Sequence, residues 1–222
     1  LRAPQISVIC PVLNEEAYVE NLASKFLFND GIEKELFFVD AGSTDQTKQK
    51  IIELQKKHSN LFLIDNPRKY VSFGFNKAFP QTKGQYIAFL GAHADYPETY
   101  FKDALKYLEA NECDAVGGPL EQMGNTSTGR AIAYCMGHRF GVGGTEFRTS
   151  SKKRYVQSVA FAVYKREVFV KAGLLDEQLL RNQDDELHYR LNAHGYRILM
   201  VPEMQCSYYV RGSLDGLHFG HH

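Results

Sequence analysis

The chain has 222 residues, 44% hydrophobic and 23% charged, the make-up of a globular protein long enough to bury a substantial core. Lys plus Arg and Asp plus Glu both number 26, so the formal net charge is zero, which excludes a bulk nucleic-acid footprint and leaves only a local basic patch open. The cysteines at 10, 113, 135 and 206 form no CxxC and no regular spacing, which argues against a disulfide framework or zinc site and for a reducing compartment, and no apolar run reaches the length of a membrane span.

Ile6–Val12 (ISVICPV) is a short apolar run that predicts a strand. Asn14 suits the N-cap of a helix in which Val19, Leu22, Ala23, Phe26 and Leu27 share a face. Residues 35–40 (ELFFVD) predict a second strand. Ser43 and Gln46 then have capping-box spacing ahead of a helix through Ile51, Ile52 and Leu54. Leu61–Asp65 predicts a third strand, residues 74–79 a short helix, and residues 86–90 a fourth strand. Pro97 suits the first turn of a helix whose Phe101, Ala104, Leu105 and Leu108 share a face, and residues 114–118 predict a fifth strand. This alternation implies an α/β fold, a Rossmann-like and mostly parallel sheet flanked by helices.

The second half is less regular. Residues 119–155 are rich in Gly, Ser, Thr and Arg, with a helix expected near residues 130–136. Residues 156–164 predict a strand, and 166–173 a short helix ended by Gly173. Residues 184–195 predict a helix with Gly195 at its C-terminal end, and 197–201 a last strand. No linker divides the halves, so one domain is expected over 1–222. No basic-then-apolar leader opens the chain, and the tail LHFGHH reads as an unstructured end whose histidines take no metal role. The chain can be a piece of a longer membrane protein.

Ligands of open α/β sheets bind outside the carboxyl ends of the strands. Polar clusters at residues 11–15, 40–45 and 91–95 occupy three such ends. Taken singly, each has an ordinary reading: Asn14 as a cap, Asp40 as an acceptor for turn amides, His93 as a satisfied surface histidine. Their coincidence at equivalent points of the topology favours one shared site.

The stretches PVLNEEAYVENL, FVDAGSTDQT, NPRKYVSFGFNKAFPQTKGQYIAFLGAHADYP and RNQDDELHYRL resemble, in order, the signatures of glycosyltransferase family 2, inverting enzymes of the GT-A fold. The resemblance covers residues 6–201. AHADYP, GVGGTEFR and LLRNQDDEL are similar to a bacterial exopolysaccharide subgroup, the succinoglycan-type transferases, which carry Asp-Ala-His in place of Asp-x-Asp. The resemblance implies a nucleotide-sugar donor, UDP-linked, held by residues 1–95, and a glycan or lipid-linked saccharide acceptor held by residues 96–212. It implies polysaccharide biosynthesis in the bacterial cytoplasm, with peripheral association at the inner face of the membrane.

Pro11, Asn14, Glu15 and Asp40 can supply the fixed polar groups that a base and ribose need. Asp40 can accept from a uracil N–H or a ribose hydroxyl, while Ala41 stands where many members have a second Asp. Arg68 is a candidate for the base or a phosphate, with a solvated arginine as the equal alternative. Negative charge grows on the diphosphate as the glycosidic bond breaks, and a divalent cation, Mn²⁺ or Mg²⁺, neutralises it. In the family's Asp-x-Asp pattern Gly91 matches the first acid and His93 the second. His93 is thus the expected metal ligand, with Asp95 as substitute or supporting partner. Imidazole favours Mn²⁺ somewhat.

Inverting transfer needs a carboxylate to take the acceptor's proton. Asp184, Leu187, His188 and Leu191 share a helical face, which predicts that Asp184 points inward at the helix start. The alternative is that Asp184 only complements the helix dipole. The resemblance also implies Asp184 as base, with Gln183 replacing a Glu; Asp185 is the reserve. Glu186 is spaced to pair with Arg190. FGVGGTEFR is not a dinucleotide fingerprint, but its glycines beside Arg148, Lys152, Lys153 and Arg154 suggest a loop closing over phosphates or acceptor, or else a solvated loop. His138 and His188 are ligand candidates, each more often an ordinary polar residue. Two other functions remain open: a non-catalytic nucleotide- or glycan-binding module with a degenerate metal turn, and a sugar nucleotidyltransferase.

Overall fold

The computed structural model describes residues 3–124 and 152–210. The helix expected near 130–136, the FGVGGTEFR stretch, Cys135, His138 and the tail lie outside the described residues. In chain order the strands are β1 (Ile6–Val12), β2 (Lys34–Asp40), β3 (Leu61–Asp65), β4 (Tyr86–Phe89), β5 (Ala94–Asp95), β6 (Ala115–Gly117), β7 (Leu120–Gly124), β8 (Arg154–Tyr155), β9 (Val163–Lys165), β10 (Ile198–Met200) and β11 (Cys206–Val210). The helices are α1 (Val19–Phe26), α2 (Thr47–Lys57), α3 (Val71–Ala78), α4 (Tyr100–Glu109), α5 (Arg166–Ala172) and α6 (Gln183–Ala193). Among the described residues no helix is long and apolar enough to cross a membrane.

An eight-stranded sheet runs β3-β2-β1-β4-β9-β6-β10-β8, and β5-β11-β7 form a smaller sheet. β1 pairs in parallel with β2 and β4, and β6 with β10, whereas β9 is antiparallel to both neighbours and β8 to β10. β1 is buried on both faces, which suits its largely apolar run, and the buried Ser7 hydroxyl donates to Glu35 at 2.6 Å. Ile6, Val8, Cys10 and Val12 pack with Val19, Leu22 and Phe26 of α1 and Phe101 of α4. Ile9 faces the other layer, with Phe75 of α3, Phe169 of α5 and Leu187 and Leu191 of α6. Arg190 locks α6 to the end of α5: its guanidinium bonds the Ala172 and Leu174 carbonyls, satisfying orphan acceptors of the helix terminus, while also pairing with Glu186 as its spacing predicts.

The antiparallel sense of β9 decides where the site lies. Because Ala88 pairs with Val163 and Tyr86 with Lys165, the chain enters β9 at the edge where β1, β2, β4 and β6 end. The strand expected over 156–164 is therefore only Val163–Lys165 preceded by irregular chain. Val156, Val159 and Ala162 are buried, which produces an apolar pattern resembling a strand. Phe161, however, adopts φ 52°, which breaks the extended backbone.

Local capping also differs from expectation. α1 starts at Val19 after Tyr18, and Asn14 lies in the left-handed region at φ 57°. α2 starts at Thr47, whose N–H is taken by Asp45 Oδ1 at 2.9 Å, so Ser43 and Gln46 form no capping box. Pro97 precedes α4 by a turn and its carbonyl accepts from Tyr100 N at 3.0 Å. α3 begins earlier than expected and runs into a 3₁₀ turn at Phe79–Gln81. The smaller sheet has no counterpart in the sequence reading, because its strands are short and come from distant segments.

Candidate active site

The loops after β1 and β2 are laced together. Asn14 N donates to Ser43 Oγ at 2.9 Å, and its Oδ1 accepts from Thr44 N at 2.8 Å. Glu15 N donates to Thr47 Oγ1 at 2.7 Å, and Gln46 N to Glu16 Oε2 at 2.9 Å. Asp40 is buried, and its carboxylate accepts from Gly42 N, Ser43 N and Ser43 Oγ, the last at 2.5 Å. Asp40 thus does the turn-building expected of the ordinary reading. Asn66 N donates to the Asp40 carbonyl at 2.7 Å, which brings the loop after β3 alongside. There the exposed Arg68 guanidinium lies 4.5 Å from the centre of the Phe73 ring. Pro11, in register with Val39, completes the floor between β1 and β2.

The turn after β4 meets the same group. His93 Nε2 lies 2.7 Å from Oε1 of the buried Glu15. A carboxylate oxygen accepts, so this ring nitrogen donates. Tyr18 and Tyr208 stand in T-shaped arrangements with the imidazole, at centroid distances of 5.1 and 6.5 Å. Asp95 instead pairs with Lys25 of α1. Gly91 is held at both its N–H and its carbonyl by the Tyr96 hydroxyl, at 2.9 and 2.8 Å. A β-carbon on Gly91 would stand 2.6 Å from Phe161 Cε1. A side chain at 91 would therefore require the Phe161 ring to shift. Among the described residues no group of three or more His, Cys, Asp or Glu side chains converges on a metal position. One imidazole beside one buried carboxylate suits a cation bound largely through a ligand's phosphates, and does not make a complete protein cage.

The acids of α6 lie in the first turn of that helix. Gln183, Leu187, His188 and Leu191 are buried, but Asp184 and Asp185 are exposed. The expectation of an inward Asp184 is corrected: the stripe is buried from Leu187 onward, while its first turn emerges into solvent. Protein nevertheless crowds the Asp184 carboxyl, so burial raises its pKa above the usual carboxylate range, with the neighbouring Asp185 charge adding to the shift. Tyr164 feels the Asp184 charge after the larger effect of burial, and both push its phenol up. Beneath the acids, His188 is fully buried. Its Nε2 is 2.8 Å from Tyr164 OH and its Nδ1 3.0 Å from Ser158 Oγ, and Ser158 Oγ donates to Asp185 Oδ1 at 2.9 Å. Burial lowers the His188 pKa to about 4, against an opposing pull from Asp185.

One short segment touches both the turn after β4 and α6. Phe161 touches Gly91 and Ser158 touches Asp185. Three residues of chain span at most about 11 Å, so this one segment ties the turn after β4 to the start of α6. Lys153 is turned to Glu112 and the Tyr107 ring instead. Thr47, Phe161, Tyr208, Ser158 and Tyr164 were not candidates from the sequence; each acts through a partner in another element, and no local spacing marks it.

Two outcomes follow from this packing. Gly91→Asp is expected to lower stability by about 1–3 kcal/mol through overpacking, and pairing it with Phe161→Ala is expected to recover part of that loss. Urea denaturation of both single variants and the double variant checks this; additive losses would refute the contact. For His188 the unfolded pKa is near 6.5 and the folded value about 4. The unfolded chain therefore binds the extra proton between these values. The contribution is complete above about pH 6.5 and lost as pH falls toward 4, by up to about 3 kcal/mol. Unfolding measured at pH 7 and pH 4.5 should show a slope that His188→Gln flattens.

The family model for glycosyl transferase family 2 matches residues 7–173. The chain is 28% identical over 210 residues to "Succinoglycan biosynthesis protein ExoA" of Rhizobium meliloti (strain 1021), covering 93% of this chain and 64% of that protein. Among solved structures, S. aureus TarS 1-349 in complex with UDP-GlcNAc superposes with a TM-score of 0.70 at 19% identity, over 96% of this chain and 61% of that one. The mannosyltransferase PcManGT of Pyrobaculum calidifontis, in complex with GDP-Man and Mn²⁺, gives 0.70 at 19%, over 95% and 58%. The chain spans less than two thirds of the length of each of these proteins. The match over most of its length shows that the chain belongs to glycosyl transferase family 2.

Proposed function

We propose that the chain is the catalytic domain of an inverting glycosyltransferase that moves a sugar from a nucleotide donor, UDP-linked, to a hydroxyl of a glycan or lipid-linked saccharide in polysaccharide biosynthesis. The observation that carries this reading is the short segment 158–161, which lies against Gly91 of the histidine turn through Phe161 and bonds Asp185 of α6 through Ser158. Family membership and the succinoglycan-associated relative support the reaction and its setting. Residues 1–95 hold the donor and 96–212 the acceptor, at the cytoplasmic face of the membrane.

Pro11, Asn14, Glu15 and Asp40 frame the base and ribose, and Arg68 reaches the base or a phosphate. His93 holds a divalent cation together with the donor's phosphates, Mn²⁺ in preference to Mg²⁺. Asp95 adds an oxygen only by giving up Lys25. When bound, the cation supplies Lewis-acid neutralisation of the diphosphate leaving group. Asp184 accepts the proton of the acceptor hydroxyl while that oxygen attacks the anomeric carbon. The bond to the diphosphate breaks in the same step, and the anomeric configuration inverts. A raised pKa makes Asp184 a stronger base than an ordinary carboxylate.

A second reading, a nucleotide- or glycan-binding module without turnover, is favoured by the Phe161 ring standing where an acid would add a ligand. UDP-sugar binding with no hydrolysis or transfer across an acceptor panel would establish it.

Asp184→Asn is expected to lower transfer or donor hydrolysis at least about 100-fold with donor affinity retained. A kcat/KM profile should lose activity as pH falls through a midpoint above the ordinary carboxylate range, because protonated Asp184 cannot accept a proton. A midpoint at or below the ordinary carboxylate value, or an active Asp184→Asn, would remove Asp184 as base. Mn²⁺ titration followed by electron paramagnetic resonance in the presence of UDP should show affinity weakened about tenfold or more in His93→Ala. Unchanged affinity would remove His93 as ligand.

A further inference from the structure

The buried imidazole of His188 has polar partners at both nitrogens, and these partners fix the direction of every proton between them. Ser158 has one hydroxyl hydrogen, and it goes to Asp185 Oδ1 at 2.9 Å. Ser158 Oγ can then only accept from the imidazole, so Nδ1 of His188, 3.0 Å away, is the nitrogen that carries hydrogen. A neutral imidazole has one N–H, so Nε2 is a lone pair and accepts from Tyr164 OH at 2.8 Å. The three bonds run one way, from the phenol in the core through imidazole and hydroxyl to the carboxylate beside Asp184. Aligned bonds of this kind polarise one another in a low-dielectric interior.

We infer that Tyr164, His188 and Ser158 are positioning residues that hold the Asp185 carboxylate fixed beside Asp184, an inference that rests on the transferase reading above. An apolar side chain at 188 would fill the same space between α6 and β9 without the burden of desolvating an imidazole. His188 is instead completely buried with both nitrogens partnered, which is the arrangement of a specified network. Its effect reaches the reaction through charge: the Asp185 charge adds to burial in raising Asp184, so a carboxylate that wandered would leave Asp184 a weaker base. The low pKa of His188 is consistent with a neutral ring whose proton direction does not change at neutral pH.

The intact protein, labelled with ¹⁵N-histidine, is examined by long-range ¹H–¹⁵N correlation at neutral pH. His188 is expected to be neutral with its proton on Nδ1, and Tyr164→Phe to move the Nε2 resonance. In transfer assays Ser158→Ala is expected to lower kcat about tenfold, the worth of one hydrogen bond to a charged group, with donor KM unchanged. Ser158→Thr, which keeps the hydroxyl, is expected to restore kcat. Ser158 is only partly buried, so its truncation leaves the core intact. A proton on Nε2, a charged ring, or full kcat in Ser158→Ala overturns the inference. If the unaltered protein shows no turnover, the transferase reading fails and the positioning role fails with it. That outcome is distinguishable because the tautomer is read without turnover.

Discussion

The contact of the Phe161 ring with Gly91 is the constraint on which the site depends. It exists because β9 lies antiparallel between β4 and β6, so the chain arrives at the carboxyl edge of the sheet immediately before pairing with β4. The ring removes the room for any side chain at 91, and Tyr96 clasps the same residue through both backbone groups. Only three residues earlier, Ser158 donates to Asp185 of α6. A single stretch of irregular chain thus touches both the turn after β4 and the start of α6.

Around that contact the polar groups divide by burial. Glu15 and Asp40 are buried and spend their hydrogen-bonding capacity on shaping loops and orienting His93. The acids of α6 emerge at the helix start, where solvent reaches them, yet enough protein surrounds Asp184 to raise its pKa. Neighbouring carboxylates with different surroundings differ in proton affinity, and such a difference suits a division of roles within one site. Arg190, gripping both Glu186 and the carbonyls that end α5, keeps the helix carrying those acids seated on the sheet.

Much of this was legible from residue order. The apolar runs of β1, β2, β3 and β4 and the faces of α1, α4 and α6 were legible because burial imposes a period within each element. The clusters at 11–15, 40–45 and 91–95 follow from where such strands must end. The false strand over 156–162 arose because an irregular segment packed on a sheet edge buries Val156, Val159 and Ala162, at a spacing of three, and so carries apolar residues as a strand does. Asp184 was expected inward because helical periodicity reports which residues share a stripe, but not how far the layer covering that stripe extends.

The sequence by itself determined the alternation of strands and helices, the polar ends of the strands and the family signatures, since each depends on residues close together in the chain. Only the tertiary structure decided the partners: Lys25 for Asp95 across 70 positions, Glu15 for His93, Phe161 for Gly91, and the line from Tyr164 through His188 and Ser158 to Asp185. Those pairings depend on the order and direction of strands in the sheet, above all the reversal of β9. Long-range burial sets that topology, and no local spacing encodes it.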